Sequence, residues 1–188
     1  MYRKVTYQSA EDALSVIQSN QRVFVHGSAQ TPLFLLRELA RQSARLHNVE
    51  LTFITVQGDI TVDRPEYEGI FNINCMFVSE SVRKAVNEGR ADFIPVFLSD
   101  IPDLFKKGYL PIDVALVQVS PPDVHGYCSL GVSVDIARSA VNTAKFIVAQ
   151  VNPNVPRTHG DSLIHVERIN TFVYCDDALP EVDYGVKV

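Results

Sequence analysis

The residues best suited to chemistry stand close together after one apolar run. Val114–Val119 ends at Pro121-Pro122, and Asp123, His125 and Tyr127 fall within the next five positions. A carboxylate and an imidazole two residues apart on a tight loop have the types required of a general acid and base. The same residues also suit a structural loop. An Asp after two prolines bonds its own loop amides, and a His ties the loop to its neighbour. Pro122, Asp123, His125 and Tyr127 are assigned to shaping a cleft rather than to bond making.

Two glycine loops offer a second kind of chemistry. Gly27-Ser28-Ala29 and Gln57-Gly58 each follow an apolar run. Glycine lets backbone approach a substrate closely, and amides at the start of the helix beginning at Thr31-Pro32 could donate to a carboxylate or a thioester oxyanion. The competing reading is that such a turn only reverses the chain. Glu80 heads another helix beside the expected cleft, where capping is its structural role. Arg157 suits a carboxylate or phosphate, and equally suits anchoring a carbonyl-rich loop. His26 and His159 have no ligand spacing with other His or acids, and neither is assigned to a metal.

Other chemistries are poorly supported. The chain contains no G-x-S-x-G pentapeptide, no Walker sequence and no G-x-G-x-x-G after the first strand, which argues against a serine hydrolase elbow, a kinase or a nucleotide-dependent dehydrogenase. Cys75, Cys128 and Cys175 are odd in number and far apart, so neither a disulfide framework nor a zinc site is suggested. A net charge of −5 with no Lys/Arg-rich run argues against nucleic acid. No run approaches bilayer length and the first residues lack a secretory apolar core, so no membrane partner is expected and the cytoplasm is the expected compartment.

The elements that must position these residues alternate. At 188 residues the chain fits one domain. Ser9 and Asp12 open a helix over Ala10–Gln18, and Arg22–Val25 reads as a strand. The Pro32 helix carries Leu33, Leu36, Leu39 and Ala40 on one face. Val49–Val56, Cys75–Val78, Phe93–Leu98, Val114–Val119, Phe146–Val151 and Ile169–Tyr174 read as further strands. Helices are expected from Ser79 to Asn87, over Ile101–Lys107 and over Ile136–Thr143, with a brief extended piece at Val132–Val134. Val114–Val119 lacks polar alternation, as a strand covered on both faces does. The expected fold is α/β: a mostly parallel sheet with helices on both faces. In such a sheet the strand-to-helix loops share one edge. This should gather Gly27-Ser28-Ala29, Gln57-Gly58, Ser79-Glu80, Ser99-Asp100 and Pro121–Tyr127 into one cleft.

Three stretches carry a resemblance. VQVSPPDVHGYCSLGVSVD, Asn152-Pro153-Asn154-Val155-Pro156-Arg157-Thr158-His159-Gly160 and Asn87-Glu88-Gly89-Arg90-Ala91-Asp92-Phe93, in that combination, resemble the acetyl-CoA hydrolase/transferase family over nearly the whole chain. The nearest members are its 4-hydroxybutyrate and butyrate:acetate CoA-transferases. The resemblance implies the CoA-transferase type of α/β fold (NagB/RpiA/CoA-transferase type), with acyl-group contacts in the Gly27 loop. It implies CoA transfer between an acyl-CoA and a small carboxylate such as acetate, with coenzyme A as substrate and no permanently bound cofactor. The family's catalytic glutamate forms a mixed anhydride and then a glutamyl-CoA thioester. That glutamate and the glycine-rich CoA-binding segment belong to a carboxyl-terminal domain. Residues 1–188 look like the amino-terminal domain alone, the carboxyl-terminal catalytic domain being absent, so no catalytic residue is expected here. Partners would be that domain and, by self-association, further copies of the chain. Small residues, usually glycines, occupy the positions of Ser79 and Glu80 in the family, so the pocket wall differs here. Two other readings remain: a non-catalytic small-molecule-binding module on the same fold, and a thioesterase using Glu80 or Asp123 as base.

Overall fold

A computed structural model describes residues 4–181. Among them seven strands form one wholly parallel sheet in the order β4-β3-β2-β1-β5-β7-β9. The strands are β1 (Arg22–Val25), β2 (Val49–Phe53), β3 (Phe71–Cys75), β4 (Ala91–Phe93), β5 (Val114–Val119), β7 (Phe146–Val151) and β9 (Thr171–Tyr174). β5 and β7 are continuous apolar runs apart from one glutamine each. They pair residue for residue from Val114↔Phe146 to Val119↔Val151, with every residue of β5 buried, as an interior strand of a doubly covered sheet must be.

Helices cover both faces. On one, α1 (Ala10–Leu14), α2 (Leu33–Arg41) and α3 (Glu80–Asn87) pack with Val23, Val25, Leu51, Leu116 and Val148. On the other, α4 (Ile101–Lys106) and α5 (Ala137–Thr143) pack with Phe24, Ala115, Val117 and Ala149. The alternation of these residues along β1 and β5 is the period-2 geometry of a strand. In α2, Leu35, Leu36 and Leu39 are fully buried, each contributing about 1.5–3 kcal/mol of burial energy.

Several elements depart from the sequence expectation. The third strand is Phe71–Cys75 rather than Cys75–Val78. Phe71, Ile73 and Cys75 point into the core while Asn72 and Asn74 line a polar trough at the amino ends of the strands, so alternation rather than an apolar run marks it. The fourth strand is Ala91–Phe93 rather than Phe93–Leu98. It is a three-residue edge, and the apolar residues after it leave the sheet, with Phe97 80% exposed. β2 stops at Phe53, α1 at Leu14, and Val132–Val134 is not a strand. A two-stranded antiparallel ribbon, β6 (Tyr127–Ser129) with β8 (Leu163–His165), was not foreseen, because three-residue strands leave no periodic signal and depend on pairing across distant sequence.

The strand order reverses between β1 and β5. The loop after β1 leads toward β2 on one side, while the chain after β5 leads toward β7 on the other. A crevice therefore opens at the carboxyl ends of these two strands, where α/β sheets bind ligands. The segment after β9 runs back across this edge. Cys175 N–H donates to the Val151 carbonyl at 3.0 Å, Asn152 Nδ2 donates to the Asp177 carbonyl at 2.8 Å, and Pro180 reaches the loops after β1 and β2. Among the described residues no helix is long and apolar enough to cross a membrane.

Candidate functional site

The loops after β1 and β2 are laced together by their backbones. Ser28 N–H donates to the Thr55 carbonyl at 2.9 Å and its hydroxyl meets that of Thr55 at 3.0 Å. Thr31 Oγ1 donates to the Ser28 carbonyl at 2.7 Å and accepts from Gln57 N–H at 3.1 Å. Gly27 permits this approach, since a Cβ there would lie 2.8 Å from both the Thr55 carbonyl oxygen and Ile54 Cγ2. Ser28 holds the left-handed conformation at φ +52°, uncommon for a residue with a side chain. These bonds leave the Ala29 N–H without a partner among the described residues. The third loop joins through Ser79, whose Oγ lies 3.5 Å from Val56 N.

Together with Pro180 the three loops line an open cavity of about 520 Å³. Ser28, Ala29, Thr55 and Gln57 form one side, and Val78, Ser79, Glu80 and Arg83 the other. Glu80 and Arg83 are three apart on α3 and exposed, so the wall carries both charges. Gly27 is buried behind the cavity, and Gly58 follows Gln57 and packs against Leu33 of α2.

Pro122, Asp123, His125 and Tyr127 lie outside this cavity. Asp123 Oδ1 accepts from the backbone N–H groups of His125 and Tyr127, both at 2.9 Å, and its Oδ2 accepts from Arg157 Nη2 at 2.9 Å. Arg157 Nη1 also donates to the Tyr127 carbonyl at 3.0 Å. The Tyr127 N–H bond first, then the other amide and the nearby Arg157, holds the Asp123 carboxyl below the usual carboxylate range. Tyr127 meets His165 edge to face at 4.9 Å, and His165 Nε2 lies 3.2 Å from the His125 carbonyl. Asp123 and Arg157 thus fasten a loop. Ser99-Asp100 likewise lies outside the cavity.

The end of the same stretch does reach the crevice. Gly131, at φ +68°, lies against Gln30, and a Cβ there would come within 2.6 Å of the Gln30 amide. Gln30 is fully buried, and neither its Nε2 nor its Oε1 has a partner among the described residues. Ser133 accepts through its carbonyl from His26 Nε2 at 2.6 Å, while His26 Nδ1 accepts from Gln118 N–H at 3.3 Å. Those two bonds fix a neutral imidazole tautomer, and burial pushes the His26 pKa down.

Sequence reasoning missed a buried, mutually bonded polar cluster here: Gln118, Gln150 and Asn152. Its signal was available. VALVQV and FIVAQV each carry glutamine at the fifth place of an otherwise apolar strand, and Gln118 and Gln150 are register partners. A buried amide in such a run requires partners. The thiols offer no nucleophile: burial pushes Cys128 up to about 12, burial and Asp177 push Cys175 up to about 12, and burial also raises Cys75. Among the described residues no three His, Cys, Asp or Glu side chains cluster as metal ligands do.

Known proteins are similar to this chain in sequence and fold. The family described as acetyl-CoA hydrolase/transferase N-terminal domain matches residues 2–184. The succinyl-CoA:acetate/propanoyl-CoA:succinate CoA transferase of Fasciola hepatica is 40% identical over 163 residues, covering 86% of this chain and 34% of that protein. The 4-hydroxybutyrate coenzyme A transferase of Clostridium kluyveri is 40% identical over 174 residues, covering 93% and 41%. The crystal structure of 4-hydroxybutyrate CoA-transferase from Porphyromonas gingivalis superposes with a TM-score of 0.78 at 28% identity, over 94% of this chain and 41% of that one. The chain spans 34% and 41% of the lengths of these two curated relatives.

Proposed function

Because the chain belongs to the acetyl-CoA hydrolase/transferase family, as its amino-terminal domain, we propose that it forms one wall of a composite site that moves CoA between an acyl-CoA and a small carboxylate such as acetate. The observation that carries this reading is the cavity lined by the loops after β1, β2 and β3. It lies at the sheet edge where ligands bind, and it is lined by Ala29, whose N–H has no partner among the described residues.

The nucleophile of this scheme is a glutamate on a second, carboxyl-terminal domain. Its carboxylate attacks the thioester carbonyl and expels CoA thiolate, giving a mixed anhydride. The thiolate then attacks the glutamyl carbonyl, the anhydride C–O bond breaks, and the donor acid leaves as its carboxylate. The glutamyl-CoA thioester so formed passes CoA to the acceptor acid by the reverse sequence. In this scheme Ala29 N–H donates to the acyl oxygen as negative charge gathers there, and the Ser28–Thr55 contacts hold that amide in place. Water reaching the intermediate would turn transfer into hydrolysis, so closure of this wall against the second domain favours transfer.

Arg157 and Asp123 keep the loop after β5 in one conformation, a positioning role with no contact to reacting atoms. Glu80 bears on acyl preference, since it puts a charge where the family places a small residue, and Arg83 lines the same wall. Acyl-CoA:acetate exchange, assayed on this polypeptide alone and after adding the carboxyl-terminal domain of a relative, tests the division of labour. No turnover alone and restored turnover in the mixture is the expected result. Robust turnover by the chain alone refutes it.

A further inference from the structure

A second cavity, of about 310 Å³, lies beside the first, between the start of α2, the carboxyl ends of β5 and β7, and the segment after β9. Its walls include Thr31, Leu33, Arg37, Gln118 and Gln150, with Asp177, Ala178 and Pro180 across from them.

The amide orientations around it are dictated by backbone donors. Leu35 N–H at the first turn of α2 can only donate, and it donates to Gln150 Oε1 at 3.2 Å. Gln150 must therefore present Nε2 to its neighbour, and that atom donates to Gln118 Oε1 at 2.7 Å. Independently, Asn154 N–H fixes Asn152 Oδ1 at 2.9 Å, so Asn152 Nδ2 also donates to Gln118 Oε1, at 3.0 Å. Two separate chains of bonds thus leave Gln118 with its amide nitrogen unused. Gln118 is 2% exposed, and its Nε2 has no partner among the described residues. A buried donor left unpaired is destabilising, and a ligand acceptor would relieve that penalty.

The charges choose among acceptors. Arg37 is the cation of this cavity, and Asp177 pairs with it at 3.2 Å. The pair is half exposed and neutral overall, so Arg37 is already engaged and an entering carboxylate would meet repulsion from Asp177 as well. A carbonyl oxygen would not. We propose that this cavity is a binding site for the carbonyl of a neutral, amide-bearing ligand, with Gln118 Nε2 as its donor and Leu33, Ala178 and Pro180 packing its apolar parts. Resting on the CoA-transfer reading, the amide carbonyls of the pantetheine arm of an acyl-CoA are the occupants.

The test is a two-dimensional ¹⁵N NMR titration of the 188-residue chain, with the Gln118 side-chain NH₂ signal identified by its loss in Gln118→Glu. Three probes are used separately: N-methylacetamide, pantetheine and acetate. The first two are expected to move that signal saturably, pantetheine at a concentration at least tenfold lower, while acetate leaves it in place. Read through the Leu33 and Ala178 amides, Gln118→Glu should weaken binding at least tenfold. Ala178→Trp, a change at an exposed residue that leaves folding intact, should abolish it. No saturable shift with N-methylacetamide, an equal response to acetate, or undiminished binding in Ala178→Trp would overturn the site. Binding of N-methylacetamide without pantetheine would support the site and overturn its assignment to the pantetheine arm. The exchange assay is independent of these readouts, so failure here leaves the CoA-transfer reading to be judged on its own.

Discussion

Gly27→Ala should splay the two loops that frame the candidate cavity. The added Cβ would lie 2.8 Å from the Thr55 carbonyl oxygen and 2.8 Å from Ile54 Cγ2. Ordinary contacts of this kind sit at about 3.5–4.0 Å. Ile54 could yield by rotating, but the Thr55 carbonyl is backbone and is already held by Ser28 N–H at 2.9 Å. Overpacking of this kind costs about 1–3 kcal/mol. Stretching or losing the Ser28–Thr55 bond adds about 0.5–1.5 kcal/mol. A total of about 1.5–4.5 kcal/mol is a large share of the ~5–15 kcal/mol that holds a domain folded. At about 2–4 °C per kcal/mol for a chain of this size, the melting temperature should fall by roughly 3–18 °C. Urea denaturation of both proteins reads the same quantity, with the midpoint lowered and the slope unchanged. A loss below about 0.5 kcal/mol, the range of an ordinary surface change, would show that the loops are not in the close contact described.

Other changes probe the rest of the edge. Gln30→Met replaces two orphaned polar atoms with an apolar chain of similar shape, and should stabilise the fold by about 1–3 kcal/mol in the same urea assay. A loss of stability would contradict the lack of partners for the Gln30 amide among the described residues. Asp123, whose carboxyl is held below its usual range chiefly by the Tyr127 N–H bond, contributes stability that is present above the unfolded carboxylate value. That contribution is lost as pH falls through the lower folded value, so urea midpoints taken from pH 6 down to pH 2 should drop more steeply for the wild type than for Asp123→Asn, and parallel curves would count against the latch. Cys128 and Cys175, both pushed up to about 12, should resist a thiol-specific disulfide reagent in the folded protein and react only on unfolding. Rapid labelling of either in native buffer would contradict their burial.

Much of the scaffold was legible because burial on both faces writes itself into sequence. Arg22–Val25, Val114–Val119 and Phe146–Val151 were placed to the residue, being runs that only an interior strand of a parallel sheet tolerates. The edge was harder. β3 alternates Asn with Phe, Ile and Cys because one of its faces is an open polar trough, and β4 is too short to carry a pattern. Near the cavity, Gly27, Ser28, Ala29, Gln57 and Gly58 could be named from the logic of strand-end loops. What sequence could not supply was which loops converge. Asp123 and His125 drew attention by type, yet Asp123 is spent on its own loop amides and on Arg157, 34 residues away. Gln118 and Gln150 escaped notice inside apolar runs, although a polar residue at the same register in two adjacent buried strands is a readable sign.

In the proposed mechanism this chain frames the reaction while the attacking carboxylate lies on another domain. Intact-mass measurement of each polypeptide after mixing this chain with a relative's carboxyl-terminal domain and acetyl-CoA tests that claim most directly. A CoA adduct on the added domain, with this chain at its unmodified mass, is the predicted result. A CoA or acetyl adduct on this chain would contradict it.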